Sequence, residues 1–135
     1  MNEITLHGNC TAEPVLHRGD DYVFITFDIA VNRSYPDPRG GWRELPAIYF
    51  KVIARNALAE NIAESLHRGT TVTVTGYLAD DSFTPAGSDQ RVRRQRFEAG
   101  DVAVSLRFAT ARVTKRTPAR RVEQPDGELR EEPAA

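Results

Sequence analysis

The sequence contains few of the residues that build disulfides and metal sites. Its 135 residues include one cysteine, Cys10, and three scattered histidines, His7, His17 and His67, without the spacing of metal ligands. A single cysteine excludes an intrachain disulfide and any zinc site of four cysteines, because such sites need several thiolates. We therefore expect neither a bound metal nor a cofactor.

Long apolar runs are missing as well. No stretch approaches the ~20 apolar residues of a membrane span. The first residues, MNEITLHGN, lack the charged and apolar regions of a secretory signal. These absences predict a cytoplasmic protein that does not bind membranes.

Motifs of common enzyme classes are also absent. The stretch GTTVTVTG, 69–76, contains no Gly-Lys-Ser/Thr and is not a phosphate loop, and the chain has no Gly-x-Ser-x-Gly. The paired carboxylates Asp20-Asp21 and Asp80-Asp81 fall at predicted turns, where aspartate is favoured on conformational grounds. We therefore expect no catalytic activity.

Charge of neither sign dominates. The chain has 18 Lys/Arg and 19 Asp/Glu, for a net charge of −1, and residues 1–115 hold 14 of each. This balance argues against a protein that is basic on all sides. It is compatible with a local cationic stripe, which is enough to attract a nucleic acid.

Alternating apolar residues predict strands through most of the first 110 residues. In 22–32, five apolar side chains share one parity, a period of two that is typical of a strand. Further strands are predicted at 3–9, 47–55, 70–79 and 101–113. The stretch TPAGSDQ, 84–90, supplies the turn of a hairpin between the last two strands.

One helix is predicted between these strands, at 56–69. Its apolar side chains recur at i, i+4 and i+8, which is typical of a helix that covers a core. Asn56 is the predicted N-cap and Gly69 the residue that follows the helix.

The order of three strands, a helix and two long strands predicts an all-β fold. It suits a five-stranded Greek-key barrel of the OB type, with the helix between strands 3 and 4 and an extended hairpin arm. A β-sandwich would leave the lone helix unexplained. From about Thr117 the apolar periodicity stops, so we divide the chain into a folded domain, 1–115, and a disordered tail, 116–135.

Aromatic and cationic side chains share the outward parities of the predicted strands. The aromatics are Tyr35, Tyr49, Tyr77 and Phe83, and the cations beside them are Arg33, Lys51 and Arg55. The run RVRRQR adds four arginines just after the predicted turn: Arg91, Arg93, Arg94 and Arg96. Trp42, the only tryptophan, falls in a predicted loop at 34–46.

Single-stranded nucleic acid requires such a surface. A base stacked on an aromatic ring contributes roughly 1–3 kcal/mol without regard to sequence, and cations along the same path neutralise phosphates. Duplex DNA hides its bases and would engage these rings less well. Two alternatives stay open: the tyrosines cover a subunit interface, or the arginines form a solvated basic run. Trp42 either contacts DNA or packs its loop.

Three segments, in order, resemble the family of bacterial single-stranded DNA-binding proteins. ITLHGNCTAEPVL resembles that family's opening strand, and ALAENIAESLHRGTTVTVTGYL resembles its helix, turn and next strand. SLRFATARV, 105–113, is similar to an extra C-terminal strand that clamps subunits in actinobacterial members. The resemblance covers residues 2–114. It implies an OB barrel in a homotetramer that wraps single-stranded DNA, acting on the nucleoid in replication, recombination and repair.

The register of this resemblance implies specific site residues. It places the family's stacking aromatics at Tyr35, Tyr49 and Phe83. A further stacking position falls at Arg55, whose guanidinium plane can also stack on a base. Trp42 matches no stacking position of the family.

The resemblance also implies that the first strands of two subunits lie close together. Cys10 is then a candidate for an intersubunit disulfide, with a reduced, packed thiol as the alternative in a cytosolic protein. Family members usually end in an acidic tip with an apolar pair, which recruits replication and repair enzymes. The end LREEPAA lacks these features, so we expect an accessory paralogue without acidic-tip recruitment.

Two other functions stay open. In an OB-fold protein-interaction module of a replication or translation complex, Tyr49, Tyr77 and Phe83 would face protein instead of bases. In an RNA binder, some group would read the 2′-hydroxyl, and the sequence identifies none.

Overall fold

The computed structural model describes residues 2–116, and its regular elements form one β-barrel with a single helix. The strands are β1 (Ile4–Cys10), β2 (Val15–Arg18), β3 (Val23–Pro36), β4 (Trp42–Arg55), β5 (Thr71–Asp80) and β6 (Gln95–Val104), and the helix is α1 (Asn56–Ser65). The chain divides into two compact units after Ser105. All six strands and the helix belong to the first unit.

The strands close on themselves. Their order is β1-β5-β6-β4-β3-β2, and an additional pairing of β1 with β3 completes the ring. β1 and β2 pair with successive stretches of β3, so they act as one interrupted barrel strand. β4 and β6 are parallel, and the other pairs are antiparallel. The six strands therefore form a closed five-stranded OB barrel with one helix, which confirms the predicted all-β OB fold class.

The inward parity of the strands builds the core. In β3 the apolar row is buried at Ile25, Phe27 and Ile29, as its period of two predicts. α1 adds its own apolar stripe and packs against β3 and β4. The buried apolar residues are Cys10, Ile25, Phe27, Ile29, Val52, Ala54, Ala59, Ile62, Leu66, Val72, Val74 and Phe97.

The loop predicted at 34–46 is wrong for most of its length. β3 and β4 continue into a long hairpin arm in which Tyr35 pairs with Arg43 and Pro36 with Trp42. Only residues 37–41 form the connection, with Gly40 and Gly41 at positive φ. The prolines of this stretch predict a loop. Pro36 nevertheless lies in β3, because a strand that is paired on one side only tolerates a residue without an N–H.

The helix termini also differ from the prediction. Asn56 is the first helical residue, with a φ of 60°, and Arg55 occupies the N-cap without a side-chain hydrogen bond. Asparagine is one of the few residues that adopt this left-handed conformation readily. Gly69 does not follow the helix directly. It lies in the next turn at positive φ and donates its N–H to the carbonyl of Cys10, at 2.8 Å.

The last predicted strand, 101–113, is too long. β6 ends at Val104, and the last ladder bond runs from the Ser105 N–H to the Thr71 carbonyl, at 2.8 Å. Residues 105–116 form neither helix nor strand, so the expected extra C-terminal strand is absent there. The rest of the predicted tail, 117–135, lies outside the described residues, and the boundary at 115 stays a prediction.

None of the described helical residues forms a segment long and apolar enough to cross a membrane.

Gly76 marks an irregularity in the pairing of β5 with β6. The register shifts between Thr75 and Gly76, and a Cβ at Gly76 would lie 1.9 Å from the carbonyl oxygen of Glu98. Gly76→Ala is therefore expected to lower the free energy of unfolding by about 1–3 kcal/mol, because the two backbones must separate. Urea unfolding measures this loss.

Gly100→Ala is the matched control. A Cβ at Gly100 meets the Thr75 carbonyl oxygen at an ordinary 3.7 Å, so its effect should stay within about 0.5 kcal/mol. Equal losses in the two variants would contradict the close approach at Gly76.

Candidate nucleic-acid interface

A groove of about 730 Å³ lies between β4 and the hairpin arm that joins β5 to β6. Tyr49 and Lys51 line it from β4, and the arm contributes Arg91, Arg93, Arg94 and Arg96. We call this the basic groove. It brings together six of the residues that the sequence predicts for DNA binding.

The pleat of β4 positions the first wall of the basic groove. Val52 and Ala54 point into the core, so Tyr49 and Lys51 share the opposite face. The Tyr49 residue is 68% exposed. A large aromatic ring beside a cation is thus held on a rigid strand, where it is available to a ligand.

Phe83 lies on the arm that joins β5 to β6. An isolated bridge with Val92 fixes it there, through an N–H···O bond in each direction at 2.9 and 2.7 Å. The guanidinium carbon of Arg94 lies 4.8 Å from the centre of the Phe83 ring. The half-exposed ring therefore has a cation on one face, and the arm continues to a turn with Gly87 at positive φ.

The arginines of the arm are mostly paired with carboxylates. Arg91 contacts Asp80 at 3.4 Å, Arg94 contacts Asp81 at 3.0 Å, and Arg96 contacts Asp81 at 3.3 Å. Sequence reasoning missed these pairs because the partners are 11–15 positions apart and meet only through the register of the hairpin. The one available signal was the adjacent Asp80-Asp81 opposite a run of arginines.

Hydrogen bonds also stabilise the ionised form of Asp80. Its pKa lies below its ordinary value mainly because of the Ser82 side chain and N–H, with a smaller contribution from Arg91. Asp80 therefore stays charged beside the groove at neutral pH. Within residues 2–116, Lys51 and Arg93 make no ion pair, so they are the cations of the groove without a carboxylate partner.

Tyr77 and Arg55 lie outside the basic groove. They line a second recess of about 510 Å³, together with Glu98 and the backbone around Gly76. The carboxylate of Glu98 contacts Arg55 Nη2 at 2.8 Å and Arg96 Nε at 2.8 Å. The predicted row of aromatics and cations is thus divided, and Arg55 and Arg96 clamp a mostly buried carboxylate.

Glu98 is stabilised as an anion in spite of its burial. Burial opposes ionisation, but hydrogen bonds from Arg55 and Arg96 outweigh it and hold the pKa of Glu98 below its ordinary value of 4.5. A lowered pKa adds stability above the unfolded value, and that stability is lost as pH falls through the folded value. Glu98→Gln should therefore cost about 1–3 kcal/mol at neutral pH.

The pH profile of unfolding tests this assignment. Wild type and Glu98→Gln should converge as pH falls below 4.5, because glutamine does not titrate. Glu60→Gln is the control, since Glu60 forms an exposed pair with Arg18 at 3.0 Å and should cost at most about 1 kcal/mol. A constant gap between wild type and Glu98→Gln across this range would contradict the ion-pair account.

The β3–β4 arm carries three further predicted residues. Trp42 is 72% exposed, so most of its surface is free of contact with the hairpin. Tyr35 is half-buried. The guanidinium of Arg33 donates to the Pro46 carbonyl at 2.9 and 3.1 Å, which holds it against its own arm.

Cys10 is a free thiol in the barrel core, with 2% exposure. Burial, and then the charge of Glu13, raises the pKa of the thiol to about 11. An intersubunit disulfide would require this buried thiol to become accessible. The bridge and its alternative, a reduced, packed thiol, both stay predictions.

The closed barrel, the helix between β4 and β5, and the groove lined by aromatic and cationic side chains define an OB-fold protein with the features of a nucleic-acid interface. The model of the Single-strand binding protein family matches residues 1–105, and the chain belongs to that family. The resemblance seen in the sequence is thereby confirmed.

Two bacterial proteins share more than a quarter of the aligned residues with this chain. The chain is 36% identical over 114 residues to a single-stranded DNA-binding protein of Mycobacterium leprae, which covers 83% of this chain and 67% of the relative. It is 28% identical to the crystal structure of a small single-stranded DNA-binding protein from Streptomyces coelicolor, with a TM-score of 0.67, covering 78% of this chain and 97% of the other.

A third likeness concerns the fold alone. The structure titled as a Plasmodium falciparum SSB complex with ssDNA has a TM-score of 0.67 at 19% identity, and covers 78% of this chain and 95% of the other.

Proposed function

We propose that this chain binds single-stranded DNA without sequence preference, by stacking bases on aromatic rings and neutralising phosphates along the basic groove. One observation carries the proposal: Tyr49 and Lys51 are exposed neighbours on β4, facing an arm with four arginines. An aromatic platform beside a cationic path is the arrangement that single strands need. Duplex DNA would offer phosphates to this groove but no free base faces.

The proposed roles follow the positions of the side chains. Tyr49 and Phe83 stack bases, and the two aromatics of the β3–β4 arm, Tyr35 and Trp42, extend that surface. Phosphates contact Lys51, Arg33, Arg91, Arg93 and Arg94. Arg55, Arg96 and Tyr77 border the recess around Glu98, and we assign them a mainly structural role.

The relatives support this function. The proteins of Mycobacterium leprae and Streptomyces coelicolor are named as single-stranded DNA-binding proteins. These names do not favour the alternative of a protein-interaction module. They also accord with a DNA-binding role in replication, recombination and repair, without catalytic activity.

We further propose a homotetramer that acts on the nucleoid in the cytoplasm. The resemblance to bacterial single-stranded DNA-binding proteins implies this assembly. Light scattering on the purified protein measures the assembly, and a mass of one chain at working concentrations would overturn the tetramer.

Titration with oligo-dT, monitored by the fluorescence of Trp42, tests the function. Binding should survive an excess of duplex competitor, and its salt slope should be near −0.7 per neutralised phosphate. Equal affinity for duplex would make the arginines the main determinant. Absence of binding at low salt would refute the proposal and favour the protein-interaction module.

A further inference from the structure

Three of the four arginines in the basic groove already hold a carboxylate of their own chain. Asp80 contacts Arg91, and Asp81 contacts both Arg94 and Arg96. Each carboxylate occupies guanidinium donors that a phosphate would need, because both anions bind the same N–H groups. The groove therefore contains two anions of its own among the cations proposed to bind DNA.

The exposed pairs differ from the pairs deeper in the barrel. The side chains of Arg91 and Asp80 are 58% and 69% exposed, whereas Arg96 and Glu98 are 28% and 11% exposed. Exposed ion pairs are worth only about 0.2–1 kcal/mol, because water and salt screen them. Asp80 can therefore be displaced from Arg91 by a stronger anion, while Glu98 keeps its partners. Asp81 is intermediate, because its side chain is 27% exposed and contacts both Arg94 and Arg96.

Displacement changes what DNA binding yields. Binding at an unpaired cation neutralises a phosphate and releases condensed counterions, which is the source of the salt-dependent affinity. At Arg91 or Arg94, a phosphate must first replace a carboxylate, which then repels it from close by. Stacking on an aromatic ring is unaffected by this exchange, and a flexible single strand held by stacking can direct its phosphates to Lys51 and Arg93, which pair with no carboxylate within residues 2–116. A duplex has no free base to stack, so it depends more heavily on the paired arginines.

We propose that Asp80 and Asp81 are specificity-determining residues that favour single strands over duplex. They act as internal competitors for the phosphate-binding arginines, and thereby weaken any ligand that relies on phosphate contacts alone. This inference rests on the proposed function. The adjacent aspartates opposite the arginine run would thereby contribute to the choice between single strands and duplex.

The test compares Asp80→Asn, Asp81→Asn and the double variant with Asp20→Asn. Asp20→Asn removes one negative charge, as each single variant does, but in the β2–β3 turn. For the double variant, the affinity for oligo-dT should rise about 3- to 10-fold at low salt, from the sum of the exposed pairs. The affinity for duplex should rise by a larger factor. Asp20→Asn should shift either affinity by less than about 1.5-fold.

The salt dependence gives a second readout. The slope for oligo-dT should steepen by about 0.7 for each arginine made available, and it should not change in Asp20→Asn. Asparagine at 80 retains an acceptor for the Ser82 N–H, which lies 3.0 Å from Oδ1 of Asp80. Asp80→Asn is therefore the variant expected to keep the fold of the arm, and it decides the question if Asp81→Asn unfolds.

The outcomes separate the two claims. If wild type binds oligo-dT and the double variant matches Asp20→Asn in both affinity and slope, the inference is refuted and the proposed function stands. An equal gain for oligo-dT and duplex also refutes it, because selectivity would be unchanged. If neither wild type nor any variant binds oligo-dT, the proposed function itself fails, and the inference fails with it.

Discussion

Replacing both Tyr49 and Phe83 by alanine is expected to weaken binding to oligo-dT by about 30-fold to 20,000-fold. Each stacked base contributes roughly 1–3 kcal/mol, and each 1.4 kcal/mol is a factor of about ten in affinity. Both rings lie on rigid backbone, Tyr49 in the middle of β4 and Phe83 in a bridge with Val92. The fluorescence of Trp42, which the double variant retains, measures the loss of affinity.

Two controls define this loss. Tyr22→Ala removes a tyrosine that is 56% exposed, between the values of Tyr49 and Phe83. Tyr22 lies between β2 and β3, outside the basic groove, so this variant should bind with unchanged affinity. The salt slope of the Tyr49, Phe83 double variant should equal that of wild type, because its arginines and Lys51 remain. A reduced slope with little change in affinity at low salt would mean that these rings position cations and do not stack bases.

Replacing Phe97 by alanine is expected to lower the free energy of unfolding by about 3–5 kcal/mol, the usual cost of removing a buried phenylalanine. Phe97 has 0% exposure, and it pairs with Val52 on β4 and with Leu78 on β5. The cavity would therefore open where three barrel strands meet. Urea unfolding gives both the loss and the m-value, which should stay unchanged if the variant is still two-state.

Phe108→Ala is the same substitution at a residue with 89% exposure. It should change the free energy of unfolding by less than about 0.5 kcal/mol. A large loss in this control, at a concentration where the protein is oligomeric, would show that Phe108 is buried in the assembly. A small loss in Phe97→Ala would contradict the position of Phe97 in the core.

The sequence predicts the parts of this fold that depend on local periodicity. Because strand side chains alternate strictly, the buried row of β3 and the exposed Tyr49 and Lys51 of β4 follow from residue order alone. The helix follows from its apolar stripe. Its N-terminus does not, since the left-handed conformation of Asn56 is set by how β4 enters the helix.

Features that depend on distant pairing could not be predicted. The ion pairs of Asp80 and Asp81 require the register of a hairpin that no local pattern specifies. Parity places Tyr77 on the face of Phe83, but β5 ends at Asp80 and Phe83 lies beyond it in an isolated bridge, so the two rings have different surroundings. The stretch 105–113 has the composition of a strand, yet it forms none in the structure, because a local pattern does not specify the hydrogen-bonding partner that a strand needs.

The parallel pairing of β4 with β6 determines when this chain can fold. Val52 lies beside Phe97, and β1, at the start of the chain, pairs with β5. A ribosome must therefore have synthesised nearly the whole barrel before its last seam can close. Such non-local closure typically takes milliseconds to seconds. Until β6 is made, the edge of β4 presents unpaired N–H and C=O groups. A strand of a neighbouring nascent chain can pair with this edge in place of β6.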